Sequence, residues 1–307
     1  MATNRLTIQG LVWWVGLALL LGACSRVKPI QNPTPSVSTG TTPAPASLTA
    51  SPSPIQPTHT PLALAARVNG AMITLPEYQA ELARYKAATG KDPTPEDQKR
   101  VLDDLVDQTL LAQAAAEKGF VVDDATLKEH MTKLSASLGS EQALAAWITA
   151  HDYTDESFQA ALTRSTSAAW MRDQIIAAVP QTAEQVHARQ ILVFSADEAN
   201  NAYAQLQSGK DFAKLAATYN PVTEGDLGWF PRGYLLDSRL EEAAFNLQPG
   251  QYSTVIQTPT GFHILLVIER DPNRPLEPDA LQALQGQALQ KWLEARHSQS
   301  EIQVLLP

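Results

Sequence analysis

Six histidines, at positions 59, 130, 151, 187, 263 and 297, are the first residues to weigh as metal ligands or general bases. None stands at an HExxH or other close ligand spacing, so no metal site and no cofactor is expected. The chain has no glycine loop built to cradle phosphate and no Gly-x-Ser-x-Gly elbow to expose a nucleophile. Adjacent carboxylates such as Asp103-Asp104, Asp123-Asp124 and Glu241-Glu242 stand at helix starts or on solvated helix faces and read as solubility rather than acid–base machinery. Two local words remain. One is Gly225-Asp226-Leu227-Gly228-Trp229-Phe230, in which Asp226 reads as a turn-former between glycines. The other is Thr260-Gly261-Phe262-His263-Ile264-Leu265-Leu266, which places His263 at the start of an apolar strand.

The elements that must position these words run from residue 186 to 269. The apolar runs Ile191-Leu192-Val193-Phe194 and Ile264-Leu265-Leu266-Val267-Ile268 read as strands at either end. Between them, Asp211-Phe212-Ala213-Lys214-Leu215-Ala216 and Leu240-Glu241-Glu242-Ala243-Ala244-Phe245 are helical by their apolar spacing. The order is strand, two helices, loop, helix, two strands.

These four segments, in this order, resemble the parvulin (PpiC-type) peptidyl-prolyl cis-trans isomerases. The resemblance implies a pocket floored by a hydrogen-bonded histidine pair and walled by apolar side chains. Carried over residue by residue, His263 is the second histidine and Thr260 the small hydroxyl residue before it. Leu236, Leu240 and Phe245 take the proline-binding positions, with Leu240 standing where phenylalanine is common. Two departures matter. The family's His-Ile-Leu-Val is Gln190-Ile191-Leu192-Val193 here, so Gln190 takes the place of the first histidine. His187, an odd number of residues away, belongs on the opposite sheet face and is no replacement. The loop Tyr219-Asn220-Pro221-Val222-Thr223-Glu224 also omits residues that usually place a Cys or Asp over the site. An amide both donates and accepts, so Gln190 is expected to hydrogen-bond His263 and hold one tautomer. Isomerase activity, reduced by these departures, and binding without catalysis both stay open.

Before this stretch, helices are expected from Thr74 as N-cap with Glu77 closing a capping box, from Thr94-Pro95-Glu96-Asp97, and from Asp124, Ser140 and Thr154, the last ending before Pro180. Asn69-Gly70 between apolar residues predicts a tight hairpin. Helical patterning returns from Pro278 to about Ala295, and a short strand closes the chain. Val68-Asn69-Gly70, the run from Leu102 to Leu111 and Glu117-Lys118-Gly119-Phe120 resemble the chaperone domain of the SurA/PrsA-type extracytoplasmic foldases. The implied fold is α+β: a discontinuous α-helical SurA N-terminal-like chaperone domain (63–180 plus 273–307) with an inserted parvulin-like β-α-α-β-α-β-β domain (181–272).

The N-terminus carries an address. Arg5, the apolar run 11–20 and Leu21-Gly22-Ala23-Cys24 form a signal-peptide pattern, too short for a comfortable membrane span. The last four residues resemble a lipobox, which implies cleavage of residues 1–23 and lipidation of Cys24, the chain's one cysteine. An uncleaved anchor is the alternative. Residues 24–62 are rich in Pro, Thr and Ser, with nine prolines from Pro29 to Pro61, and are expected to form a disordered tether. Residues 1–76 hold four of the 23 basic and none of the 32 acidic side chains, so the remainder carries a net charge of −13. No basic cluster is visible and nucleic acid is not an expected partner. The expected role is that of a foldase outside the cytoplasm, anchored to the cell membrane through Cys24. It would chaperone unfolded exported polypeptides and isomerise their Xaa-Pro bonds. The rival is a pure holdase whose parvulin-like domain only binds.

Overall fold

The computed structural model describes residues 63–151 and 153–306. The segments expected to be signal peptide and tether, with Cys24, lie outside the described residues. The described chain opens with a hairpin, β1 (Leu64–Val68) and β2 (Ala71–Thr74), turned at Asn69 and Gly70. Their φ angles of 51° and 85° are the paired left-handed conformations of a type I′ turn, as Asn-Gly predicts.

Five helices follow: α1 (Leu75–Thr89), α2 (Pro95–Glu117), α3 (Asp124–Leu138), α4 (Glu141–Ala150) and α5 (Asp155–Ala177). Their starts obey local chemistry. Thr94 and Asp97 cap each other reciprocally, as do Thr154 and Ser157. Tyr153 meets Phe158 edge-on at 5.7 Å across the start of α5, the expected hydrophobic staple. At α1 the expectation is corrected. The Thr74 hydroxyl accepts from the Glu77 N–H, but the Glu77 carboxylate turns inward to Arg164 of α5 instead of closing a capping box. The pair is nearly enclosed, so deleting either partner strands a buried charge, at a cost of about 3–5 kcal/mol.

The chain then forms an antiparallel sheet from β3 (Thr182–Val193), β4 (Asp226–Pro231), β5 (Ile256–Thr258) and β6 (Gly261–Pro275), in the order β4-β3-β6-β5. Helices α6 (Ala196–Gln207), α7 (Phe212–Tyr219) and α8 (Ser238–Asn246) complete the β-α-α-β-α-β-β unit. Alternation along β3 decides what each sheet face buries. Ile191 and Val193 join Ile264 under α6 and α7. Val186 and Ala188 face the other way with Leu265, Val267 and Phe230, under Ala244 and Phe245 of α8.

Past the sheet, α9 (Pro278–Ser298) packs Leu289, Trp292 and Leu293 against Leu111 and Ala115 of α2 and Met171 of α5. These three side chains are partly buried, so each contributes less than the roughly 1.5–3 kcal/mol of full burial. The final strand, β7 (Ile302–Val304), pairs antiparallel with β1, giving a second sheet of order β2-β1-β7. The chain therefore returns to its helical layer after completing the inserted α+β unit.

Candidate functional site

The register of β3 on β6 places Leu192 opposite His263 and Gln190 opposite Leu265. Gln190 and His263 are therefore diagonal neighbours on the α8 face, within reach of a long side chain. Gln190 Oε1 accepts from His263 Nδ1 at 3.0 Å. With the proton on Nδ1, Nε2 is the accepting nitrogen, and it lies 2.9 Å from Thr258 Oγ1 and 3.3 Å from Thr260 Oγ1. The two hydroxyls are 2.8 Å apart, and Thr258 Oγ1 also accepts the Thr260 N–H. Both ring nitrogens are thus engaged, and the histidine is 4% exposed.

Thr258 is the residue that sequence reading missed. It lies at the end of β5, in register with Gly261 across the short turn to β6. The alternation Thr258-Pro259-Thr260 was the available signal, since both threonines flank the turn that carries His263.

Burial holds the His263 pKa below the ordinary histidine value, and the Asp237 carboxylate opposes that shift without cancelling it. The ring is neutral at pH 7. Between the ordinary value near 6.5 and the lower folded value, the unfolded chain binds more protons than the folded one. The stability that the neutral ring contributes is therefore complete above about pH 6.5 and declines as pH falls through that window. An Xaa-Pro exchange rate measured against pH is expected to be flat from pH 8 to about 6.5 and to fall only below it. A rate already falling between pH 8 and 7 would contradict a neutral His263.

The other expected residues separate. Leu240 is half-buried and packs on the Phe230–Phe245 cluster, as does Leu235. Phe245 is almost wholly buried, edge-on to Phe230 at 6.2 Å, with the Arg232 guanidinium 4.1 Å over its ring. Leu236 is fully exposed and stands off this cluster, while its neighbour Leu235 packs on it.

In the short loop, Asn220 Oδ1 accepts from the N–H groups of Val222 and Thr223 and so shapes the turn. Glu224 and Gly225 are both left-handed. The Gly225 carbonyl accepts the Gln190 N–H at 2.8 Å, tying the loop to the strand that carries the site. Asp226 makes the expected turn by accepting from the Gly228 N–H, and it also pairs with His187 at 2.8 Å. Burial works to raise the Asp226 pKa, yet the Gly228 N–H and His187 outweigh it and hold it below the usual carboxylate value. His187 stacks on Trp229 and takes no part in the His263 network.

Among known families, the model of the PPIC-type PPIASE domain matches residues 175–269, and that of the SurA-like N-terminal domain matches residues 60–165. The foldase protein PrsA of Caldanaerobacter subterraneus subsp. tengcongensis is 30% identical over 231 residues, covering 64% of this chain and 71% of that protein. PrsA of Geobacillus kaustophilus is 28% identical, covering 57% of this chain and 64% of that one. With two other PrsA proteins the match spans less than half of the relative's length. The crystal structure of PrsA from Bacillus cereus covers 77% of this chain and 90% of its own at 18% identity, with a TM-score of 0.45.

Proposed function

Because the chain belongs to the PrsA family of foldases, we propose that it chaperones non-native exported polypeptides and isomerises their Xaa-Pro bonds at a site built on Gln190 and His263. The observation that carries this reading is the closed network Gln190–His263–Thr258–Thr260 on the α8 face of the sheet.

Rotation about an Xaa-Pro bond faces a barrier of about 18–20 kcal/mol. No bond breaks, so no nucleophile or proton transfer is required, and a histidine with both nitrogens engaged suits the task. Its tautomer is fixed from both sides. The network instead fixes Gln190: with Oε1 turned to His263, the amide Nε2 has no partner among the described residues and remains a donor. In the planar amide the proline nitrogen lone pair is delocalised. In the twisted state it localises and becomes an acceptor. A donor held ready for that nitrogen binds the twisted state better than either planar one, which lowers the barrier. Leu235 and Leu240 supply the apolar wall for the proline ring, and the exposed Leu236 extends it at the rim.

The anchor belongs to this proposal on sequence grounds. Cys24 would hold the protein to the cell membrane from outside the cytoplasm, and residues 24–62 would give its folded part reach. Among the described residues no helix is long and apolar enough to cross a membrane.

Refolding of a substrate protein limited by a slow Xaa-Pro step tests both activities at once. The full chain is expected to speed the slow phase and to suppress aggregation, while Gln190→Leu cuts the first about tenfold and keeps the second. Suppression with no acceleration by the wild type would leave a holdase.

A further inference from the structure

Helix α9 has two working faces. Leu289, Trp292 and Leu293 dock on α2 and α5. Leu284, Gln287, Ala288 and Lys291 line a cleft of about 430 Å³ shared with Arg232, Gly233 and Glu241 of the inserted unit. Across this cleft Gln287 Nε2 donates to the Gly233 carbonyl. From α8, Glu241 Oε2 accepts the N–H of the same glycine at 2.6 Å. Both backbone polar groups of Gly233 are therefore held, one by α8 and one by α9.

The approach is close. Gly233 has a φ of +86°, and a Cβ there would lie 2.8 Å from Gln287 Oε1 and 3.2 Å from Leu284 Cδ2. Gly233 opens the segment 233–237 between β4 and α8. That segment carries Leu235, packed on the Phe230–Phe245 cluster, and the exposed Leu236. It ends at Asp237, the N-cap of α8, whose carboxylate acts electrostatically on His263. Gln287 lies outside both residue ranges that the family models match.

We infer that Gln287 is a positioning residue for the isomerase site: from the chaperone-side helix it holds the Gly233 carbonyl and so sets where the 233–237 segment presents its leucines to a proline. The inference rests on the isomerase reading above. Gln287 touches neither the His263 network nor the expected position of the substrate. Its effect passes through the loop and belongs to substrate grip, hence to KM more than to kcat.

The test uses the full chain and the exchange rate of an Xaa-Pro peptide over a range of peptide concentrations. Gln287→Glu keeps the shape but cannot donate, and it sets a carboxylate against both the Gly233 carbonyl and Glu241. Gln287→Lys keeps a donor of similar reach. Gln287→Glu is expected to raise KM by roughly 3- to 10-fold with kcat changed less than about twofold, at an unchanged urea midpoint, while Gln287→Lys stays within about twofold of the wild type. An unchanged KM in Gln287→Glu beside an active wild type overturns this inference alone, as does a rise that tracks a lowered midpoint or appears equally in Gln287→Lys. No acceleration by the wild type itself overturns the isomerase reading beneath it.

Discussion

Gly225→Ala is expected to destabilise the fold by about 3 kcal/mol or more and to bring Xaa-Pro exchange down to the uncatalysed rate. Gly225 has a φ of +76°, and its missing Cβ would sit 2.0 Å from the Gln190 carbonyl oxygen and 3.3 Å from Ala216 Cβ. The near atom is backbone in the central pair of the sheet and has no rotamer with which to yield. The loop must leave the strand, and the bond from the Gln190 N–H to the Gly225 carbonyl goes with it. Gln190 then loses the backbone position that aims its amide at His263. Gly228→Ala is the control. Its φ of +68° is equally left-handed, but nothing lies within 4 Å of the added carbon. That variant should cost only the left-handed strain, about 1–2 kcal/mol, and keep its activity. Urea unfolding beside exchange kinetics separates the two, and equal losses would mean that strain alone matters at Gly225.

His263→Ala is expected to lower kcat/KM by roughly tenfold or more and to cost about 2–4 kcal/mol of stability. The ring is the one partner shared by Gln190 Oε1 and the two threonine hydroxyls. Without it a carbonyl and a hydroxyl are left facing a cavity, each losing about 1–3 kcal/mol of satisfied hydrogen bonding. The freed amide can turn either way, so its donor is no longer held ready. His263→Gln restores polar contact without the ring and should recover stability more than rate. Denaturation midpoints and exchange rates, read together on the folded fraction, check this. A His263→Ala variant with full activity would show that the network is only structural.

Much of this was legible from local chemistry. Helix caps at Thr94 and Thr154 and the Asn69-Gly70 turn are set by residues within one turn of each other, which a sequence displays directly. The pairing of Gln190 with His263 was legible as well, because strand alternation and one family resemblance placed both side chains on a common face. What escaped depended on distant partners. Glu77 is drawn inward by Arg164, 87 residues away, against a local capping preference worth less than a buried ion pair at risk. His187 finds Asp226 across β3 and β4. Thr258 joins His263 only because the β5–β6 turn folds it back. That Leu235 packs inward while Leu236 is exposed was not legible, because the segment after Gly233 has no regular period from which to read inward and outward. An anchor at Cys24 is an expectation from sequence alone.

The most direct test of the central claim is two-dimensional exchange NMR on a short Xaa-Pro peptide with the full chain, beside Gln190→Leu and Gln190→His. Faster cis–trans exchange is expected with the wild type, a rate per folded molecule about tenfold lower in Gln190→Leu, and activity retained in Gln190→His. A wild type no faster than buffer, with exchange appearing only in Gln190→His, would contradict it and leave a folded pocket that binds without catalysing.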